Sequence, residues 1–154
     1  MHGVDYYFLD NKSFKRMIEE DELLEWAEVY GHYYGTPYRF LQEALDRGND
    51  VILEIDIQGA LQVKERFPMA VLIFVLPPSR LALESRLRAR GTDTREEIEK
   101  RLRCIEGEIK MACHYDYIVV NDELTRALDT VRAIITAEKA RSQRCQYLLR
   151  DLLP

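Results

Sequence analysis

The stretch Val51–Ile57 (VILEIDI) decides the fold class that the sequence predicts. It is rich in β-branched residues and almost entirely apolar, which is typical of a strand covered on both faces of a parallel sheet. A predicted helix follows to about residue 67, and Ala70–Leu76 (AVLIFVL) is a second run of the same kind. Tyr117–Val120 gives a third short strand. Strands that alternate with helices predict parallel β-α units with right-handed crossovers, and therefore an α/β fold.

Helices are predicted after these strands from the signals at their ends. Residues 79–90 form one helix, which stops at Gly91. Thr94 and Glu97 have the spacing of a capping box and open the next helix. Asp122 is expected to cap the last long helix, whose inner face is predicted to carry four apolar residues: Leu124, Leu128, Val131 and Ile135.

The first part of the chain, residues 1–36, has a different and aromatic character, since six of the nine tyrosines lie before residue 40. Leu23–Tyr34 is interrupted by Gly31, which predicts a bent β hairpin rather than a helix. Thr36 and Pro37 are expected to supply the cap and the first-turn proline of the following helix. We interpret this part as an insertion that serves the α/β core.

Composition and charge exclude several classes of protein. With 22 basic and 27 acidic residues the formal charge is −5, which argues against nucleic-acid binding through a basic face. The longest apolar run, Ala70–Leu76, is far too short to cross a bilayer. Three widely spaced cysteines predict reduced thiols rather than disulfides or a zinc site. We therefore expect a cytoplasmic protein with neither nucleic acid nor membrane as a partner.

Three groups of polar residues are candidates for chemistry. Glu54 and Asp56 are two apart at a predicted strand end, so their carboxylates share one face. Ligands of parallel sheets bind at such ends, which favours a site for polar ligand atoms or hydrated Mg²⁺ over a salt-bridged pair.

The second group is a set of arginines around a Gly-Thr-Asp-Thr hinge. Arg86 and Arg90 are four apart and share one helical face, and Arg101 lies on the next helix. Two such helices suit a lid that carries positive charge onto transferring phosphoryl groups. On spacing alone, a solvated helix face is the favoured interpretation.

The third group combines hydroxyls with one carboxylate, namely Tyr6, Glu25, Tyr33, Tyr34 and Thr36. A carboxylate accepts two N–H donors from a guanine edge, and hydroxyls donate to phosphate oxygens. Tyrosine hydroxyls at the rim of a small sheet are the alternative, and the residues alone slightly favour it.

Taken together, these segments resemble the guanylate kinase family, P-loop nucleoside monophosphate kinases that transfer a phosphoryl group from ATP to GMP. The similarity extends from Gly3 to about Ala140, and many ordered runs carry it. The runs are Gly3–Phe8 (GVDYYF), Leu24–Ala27 (LEWA), Gly31–Thr36 (GHYYGT), Leu53–Gly59 (LEIDIQG), Leu76–Ser79 (LPPS), Arg90–Thr92 (RGT) and Val120–Asp122 (VND).

The resemblance implies roles for residues of the aromatic part. Tyr6 and Tyr34 correspond to hydroxyls that bind the GMP phosphate. Glu25 corresponds to the carboxylate that reads the N1 and N2 donors of guanine, and Thr36 contacts the same base. Glu54 and Asp56 would also lie near the bound GMP.

The resemblance also implies a donor side. Arg86, Arg90 and Arg101 correspond to the catalytic arginines of the lid, and Asn121 to a residue beside the ATP adenine. Mg²⁺ with ATP is the implied cofactor. No residue is expected to ligate the metal directly, although Asp56 is a candidate for contact through water. Family members often carry Asp where Glu54 stands, so the geometry there is expected to differ.

One part of the family pattern is missing. No G-x-x-x-x-G-K-[ST] run occurs in the 154 residues, and that loop grips the β- and γ-phosphates of ATP. The resemblance places the family's first, central strand ahead of Gly3, between the strands at 51–57 and 70–76. Without that central strand, each of the two strands would have an unpaired edge. We expect the two strands to pair directly with each other, or their edges to be covered by strand exchange or in a homodimer. The alternative is a longer chain of which these residues are a part.

The sequence therefore predicts one domain, 1–154, with an α/β sheet flanked by helices that lacks its first strand. Residues 1–36 form its GMP-binding β region, 50–140 its α/β core with a lid near 86–101, and 141–154 a helical tail. The implied function is guanylate kinase activity in purine metabolism, with little turnover by this chain alone. A non-catalytic interaction module and a kinase for another nucleoside monophosphate are the alternatives.

Overall fold

The protein is described by a computed structural model that covers residues 6–29, 31–91 and 94–150. Its helices are α1 (Asn11–Glu19), α2 (Tyr38–Asp46), α3 (Ile57–Arg66), α4 (Arg80–Arg90), α5 (Arg95–Lys110), α6 (Leu124–Lys139) and α7 (Gln146–Arg150), with a short 3₁₀ turn at Met111–His114. The strands are β1 (Leu23–Val29), β2 (His32–Pro37), β3 (Ile73–Leu76) and β4 (Tyr117–Val120). The chain divides into two compact units, Met1–Ala70 and Val71–Pro154.

The first unit is built on an antiparallel hairpin of β1 and β2, which confirms the predicted hairpin. Gly31 at the turn has φ +82°, a backbone conformation that favours glycine. The register shifts between Leu23 and Glu25. Because of this bulge, Leu23, Leu24 and Glu25 are all buried, although alternate residues of a regular strand point to opposite faces.

The strand predicted at residues 51–57 is not formed. Residues 51–56 take part in no ladder, and α3 begins at Ile57. The apolar side chains of Val51, Leu53 and Ile55 instead pack against a buried cluster of Leu24, Leu41 and Val63. Hydrophobic burial is retained there, whereas strand structure also needs a neighbouring strand.

Thr36 does not cap the second helix as expected. It belongs to β2, and Pro37 occupies the N-cap position of α2 without a side-chain hydrogen bond. The hydroxyl of Thr36 has a different partner, a carboxylate on β1. Helix α2 stops at Asp46, and Gly48 just beyond it has φ +75°, a backbone conformation that favours glycine.

The second unit is an α/β unit in which β3 and β4 pair in parallel, with Ile73 opposite Tyr117. The parallel pair and its flanking helices confirm the α/β class. The second predicted strand is shorter than residues 70–76, since only Ile73–Leu76 pairs. Gly91, with φ +64°, ends α4, and the predicted capping box of Thr94 and Glu97 opens α5.

The inner face of α6 confirms the prediction only in part, because Val131 packs against the buried cluster of Val119, Ala127 and Ile134 as expected. Leu124 and Leu128 are exposed, and the buried positions are Ala127, Ile134 and Glu138. The small side chain of Ala127 lets the helix lie close to the sheet, where it packs with Val119. Asp122 is not the cap either, since Glu123 occupies the N-cap position and makes no side-chain bond.

Glu138 lies on the buried face of α6, and one oxygen of its carboxylate, Oε1, has two partners. The hydroxyl of Tyr117 donates to Glu138 Oε1 at 2.6 Å, and Arg141 lies 3.1 Å from the same oxygen. The hydrogen bond to Glu138 raises the pKa of Tyr117. In the described ranges of the chain, no helix has the length and apolarity needed to cross a membrane.

Candidate active site

A buried carboxylate on the hairpin is the centre of the candidate site. Glu25 is only 5% exposed, which is unusual for a glutamate. The hairpin register places Thr36 opposite Glu25, and the Thr36 hydroxyl donates to Glu25 Oε1 at 2.7 Å. One oxygen of Glu25 is therefore held in place by the neighbouring strand.

The first turn of α3 lies on the other side of this carboxylate. Asp56 caps the helix, and its Oδ1 accepts a hydrogen bond from the Gly59 N–H at 2.8 Å. Gly59 is buried, and a Cβ at this position would collide with Glu25 Oε2. The structure thus brings Glu25, Thr36 and Asp56 together, three residues that the sequence predicted for one site.

The electrostatics of this cluster follow from burial. Desolvation raises the pKa of Glu25 above its ordinary value, and the hydrogen bond from Thr36 works against this effect. The negative charge of Asp56 adds to the rise in the pKa. An ionised Glu25 therefore gains from any ligand that offers hydrogen-bond donors to it.

We expect the pKa of Glu25, followed by ¹³C NMR of its carboxyl carbon, to lie above the ordinary glutamate range. Thr36→Val is expected to raise this pKa further. The valine removes a bond that favours the ionised form. Because the folded pKa is raised, Glu25 stabilises the fold below its unfolded pKa. That contribution is lost as the pH rises through the folded value.

The control for this titration is the same substitution at Thr130, an exposed residue of α6 in the second unit. Thr130→Val is expected to leave the Glu25 titration unchanged. A Glu25 pKa at or below the ordinary value, or a decrease in Thr36→Val, would contradict the description of the cluster.

Two tyrosines lie at the exposed end of the same hairpin face. Tyr34 and Thr36 are two apart on β2 and share a face. The Tyr34 ring meets the Tyr6 ring edge-on at 6.4 Å between centroids, and both rings are largely exposed. Tyr33 is on the opposite face and stacks on Phe14, so it does not join the candidate site.

The paired carboxylates at the predicted strand end are separated in role. Glu54 is exposed, whereas Asp56 is half-buried and caps α3. In the parts of the chain that the structure covers, no group of three or more His, Cys, Asp or Glu residues forms a metal site. Oδ2 of Asp56 has only a long 3.5 Å contact with the Gln58 amide. A single such oxygen fits contact with a hydrated Mg²⁺ through water.

The candidate donor-side residues belong to the second unit. Arg86 donates to the main-chain carbonyls of Asn121 at 2.7 Å and Asp122 at 3.3 Å, so it binds the segment that follows β4. The side chain of Arg90 lies outside the described residues. Arg101 is half-buried on α5. Within this unit the structure brings Arg86 and Asn121 together, and the catalytic roles of all three arginines remain predictions.

Two residues of the cluster, Gly59 and Gln62, were missed by the sequence interpretation. A glycine inside a helix costs stability relative to alanine, so Gly59 in the first turn of α3 was a detectable signal of close approach. Gln62 donates to the Trp26 carbonyl at 2.7 Å and accepts from the Trp26 N–H at 3.1 Å. Nothing in the local sequence indicates that pairing, because the partners are far apart in the chain.

Comparisons with known proteins agree on one family. The family model described as guanylate kinase matches residues 1–138. A guanylate kinase of Caldanaerobacter subterraneus is 54% identical over 142 residues, which cover 92% of this chain and 69% of that protein. A guanylate kinase of Desulfitobacterium hafniense is 51% identical over 152 residues, covering 99% and 76%.

A solved structure supports the same assignment. The crystal structure of guanylate kinase from Anaplasma phagocytophilum matches with a TM-score of 0.77 at 34% identity, covering 94% of this chain and 70% of that one. Sequence and fold therefore agree, and the chain belongs to the guanylate kinase family.

Proposed function

We propose that the protein serves as a guanylate kinase, which transfers a phosphoryl group from ATP to GMP and gives ADP and GDP. We further propose that the hairpin cluster is its GMP site. The observation that carries the proposal is the buried Glu25 carboxylate, fixed by the Thr36 hydroxyl on one side and bordered by Gly59 on the other.

Base recognition follows from the chemistry of that carboxylate. An ionised carboxylate only accepts hydrogen bonds, and guanine offers two adjacent donors, N1–H and the N2 amino group. Adenine lacks this pair of donors and would leave the buried charge without compensation. Glu25 therefore suits guanine, and Thr36 keeps the carboxylate oriented toward the same edge.

Phosphate binding is assigned to the tyrosine pair. Tyr34 shares the hairpin face of Thr36, and its ring is in contact with Tyr6. Their exposed rings leave the hydroxyls accessible to a phosphate oxygen. We assign Glu54 and Asp56 to the polar surroundings of the bound GMP.

The donor side is proposed from the family. The donor-side arginines would place positive charge beside the phosphoryl group during its transfer, and Asn121 would lie beside the ATP adenine. These arginines are Arg86, Arg90 and Arg101. Mg²⁺ bound with ATP would neutralise phosphate charge, and Asp56 would contact its water shell. A cytoplasmic place in purine metabolism and a homodimer or strand-exchanged oligomer belong to the same proposal.

The test is a calorimetric titration of the 154-residue chain with GMP and then with ATP–Mg²⁺, with its mass in solution recorded alongside. Because these residues contain no G-x-x-x-x-G-K-[ST] run, we expect GMP to bind and ATP–Mg²⁺ to bind more weakly. A chain that binds ATP–Mg²⁺ but not GMP would contradict the assignment of the hairpin to GMP.

A further inference from the structure

We propose that Gly59 determines base specificity as a positioning residue, because the missing side chain leaves the space that the Glu25 carboxylate occupies. The inference rests on the proposed function, in which Glu25 reads guanine. Gly59 would contact no substrate atom and would act only through Glu25.

The space at position 59 is already filled by the carboxylate. A Cβ added there would lie far inside van der Waals contact with Glu25 Oε2, and it would lie 3.1 Å from Glu25 Cδ and 3.3 Å from Asp56 Oδ1. Any residue other than glycine therefore forces the carboxylate, the helix or the strand to move.

The helix and the strand are tied to each other by bonds to the strand residues on either side of Glu25, Leu23 and Trp26. Gln62 bonds both the N–H and the carbonyl of Trp26, the residue after Glu25. Arg66 donates to the Leu23 carbonyl at 3.0 Å. These bonds oppose a separation of α3 from β1, so the flexible end of Glu25 is the group that yields.

A displaced carboxylate changes recognition more than folding. Glu25 would have to turn away from the position in which Thr36 holds it, and its two oxygens would no longer face adjacent donors. The backbone itself gains from alanine, because glycine is the less favourable residue in a helix. The expected signature is a loss of guanine selectivity in a chain that remains folded.

The experiment compares Gly59→Ala with Gly107→Ala. Gly107 is also helical, on α5, and an added Cβ there meets nothing within 4 Å. Calorimetry with GMP and IMP reports selectivity, because IMP keeps the N1–H donor and lacks the N2 amino group. In Gly59→Ala we expect at least tenfold weaker GMP binding and a GMP-to-IMP preference that falls toward one. Gly107→Ala is expected to change neither.

A double-mutant cycle separates positioning from a general effect. In a Glu25→Gln chain, Gly59→Ala should weaken GMP binding by much less than it does in the wild type. If Gly59→Ala lowers the melting temperature, Glu25→Asp in the same chain should restore it, because the shorter aspartate side chain would not reach the added methyl group. Failure of this restoration would overturn the inference.

The remaining outcomes distinguish the two claims. A wild-type chain that does not bind GMP overturns the proposed function and this inference with it. A wild-type chain that binds GMP through Glu25, while Gly59→Ala binds with unchanged affinity and selectivity, overturns the inference alone. An equal loss of GMP and IMP binding in Gly59→Ala also overturns it, because a merely structural lesion would act in that way.

Discussion

Replacing Glu25 with glutamine is expected to weaken GMP binding by roughly 100-fold. Each hydrogen bond to a charged group contributes about 1.5–3 kcal/mol, and the proposed contact has two. A loss of about 3 kcal/mol corresponds to that fold-change. The glutamine amide has only one acceptor oxygen, and its NH₂ group would face an N–H donor of the guanine. The Thr36 hydroxyl can still bond the remaining oxygen, so the hairpin is expected to stay folded.

The matched control is Glu28→Gln, which removes the same charge from the same strand. Glu28 is exposed and is paired with Tyr33, on the hairpin face that Glu25 does not use. This variant should bind GMP as the wild type does. Titrations with AMP and UMP complete the comparison, because wild-type binding of AMP as tight as that of GMP would show that another nucleotide is the acceptor.

Leu24→Ala is expected to give the largest loss of stability. Leu24 is fully buried and packs in one cluster with Leu41 and Val63. Removing such a side chain leaves a cavity, and leucine-to-alanine changes of this kind cost about 2–5 kcal/mol. Chemical denaturation followed by the fluorescence of Trp26, the single tryptophan, reports on this unit.

The control for the core prediction is Leu45→Ala, the same substitution at a position of α2 that is exposed. This variant should lower the free energy of unfolding by much less than Leu24→Ala does. Equal losses at the two positions would show that the cluster around Leu24 does not hold the unit together.

Elements with local signals were predictable from the sequence. The hairpin follows from aromatic and β-branched residues on either side of Gly31, and the capping box of Thr94 and Glu97 fixes the start of α5. Such signals involve neighbours in sequence, which is why they survive without knowledge of the tertiary structure.

The elements that failed depend on distant partners. The apolar run of residues 51–57 predicts a strand, but a strand forms only where another strand lies beside it to share backbone hydrogen bonds. The side chains of this run pack into a hydrophobic cluster instead. On α6 the size of Leu124 and Leu128 suggested that they face the core, but both are exposed. The burial of Ala127 depends on how the helix packs against Val119 of β4, which the helix sequence alone does not show.

The site shows the same division. The resemblance to the family assigned Glu25 and Thr36 to recognition of a base, but their hydrogen bond depends on strand register and a bulge. The close approach of Gly59 depends on how α3 lies against β1. Periodicity within one segment therefore cannot reveal these contacts.

Calorimetric titration of GMP into the wild-type chain and the Glu25→Gln variant, side by side, tests the central claim most directly. We predict one GMP bound per chain in the wild type and roughly 100-fold weaker binding in the variant. Equal binding by the two chains would contradict the assignment of Glu25 as the residue that reads guanine.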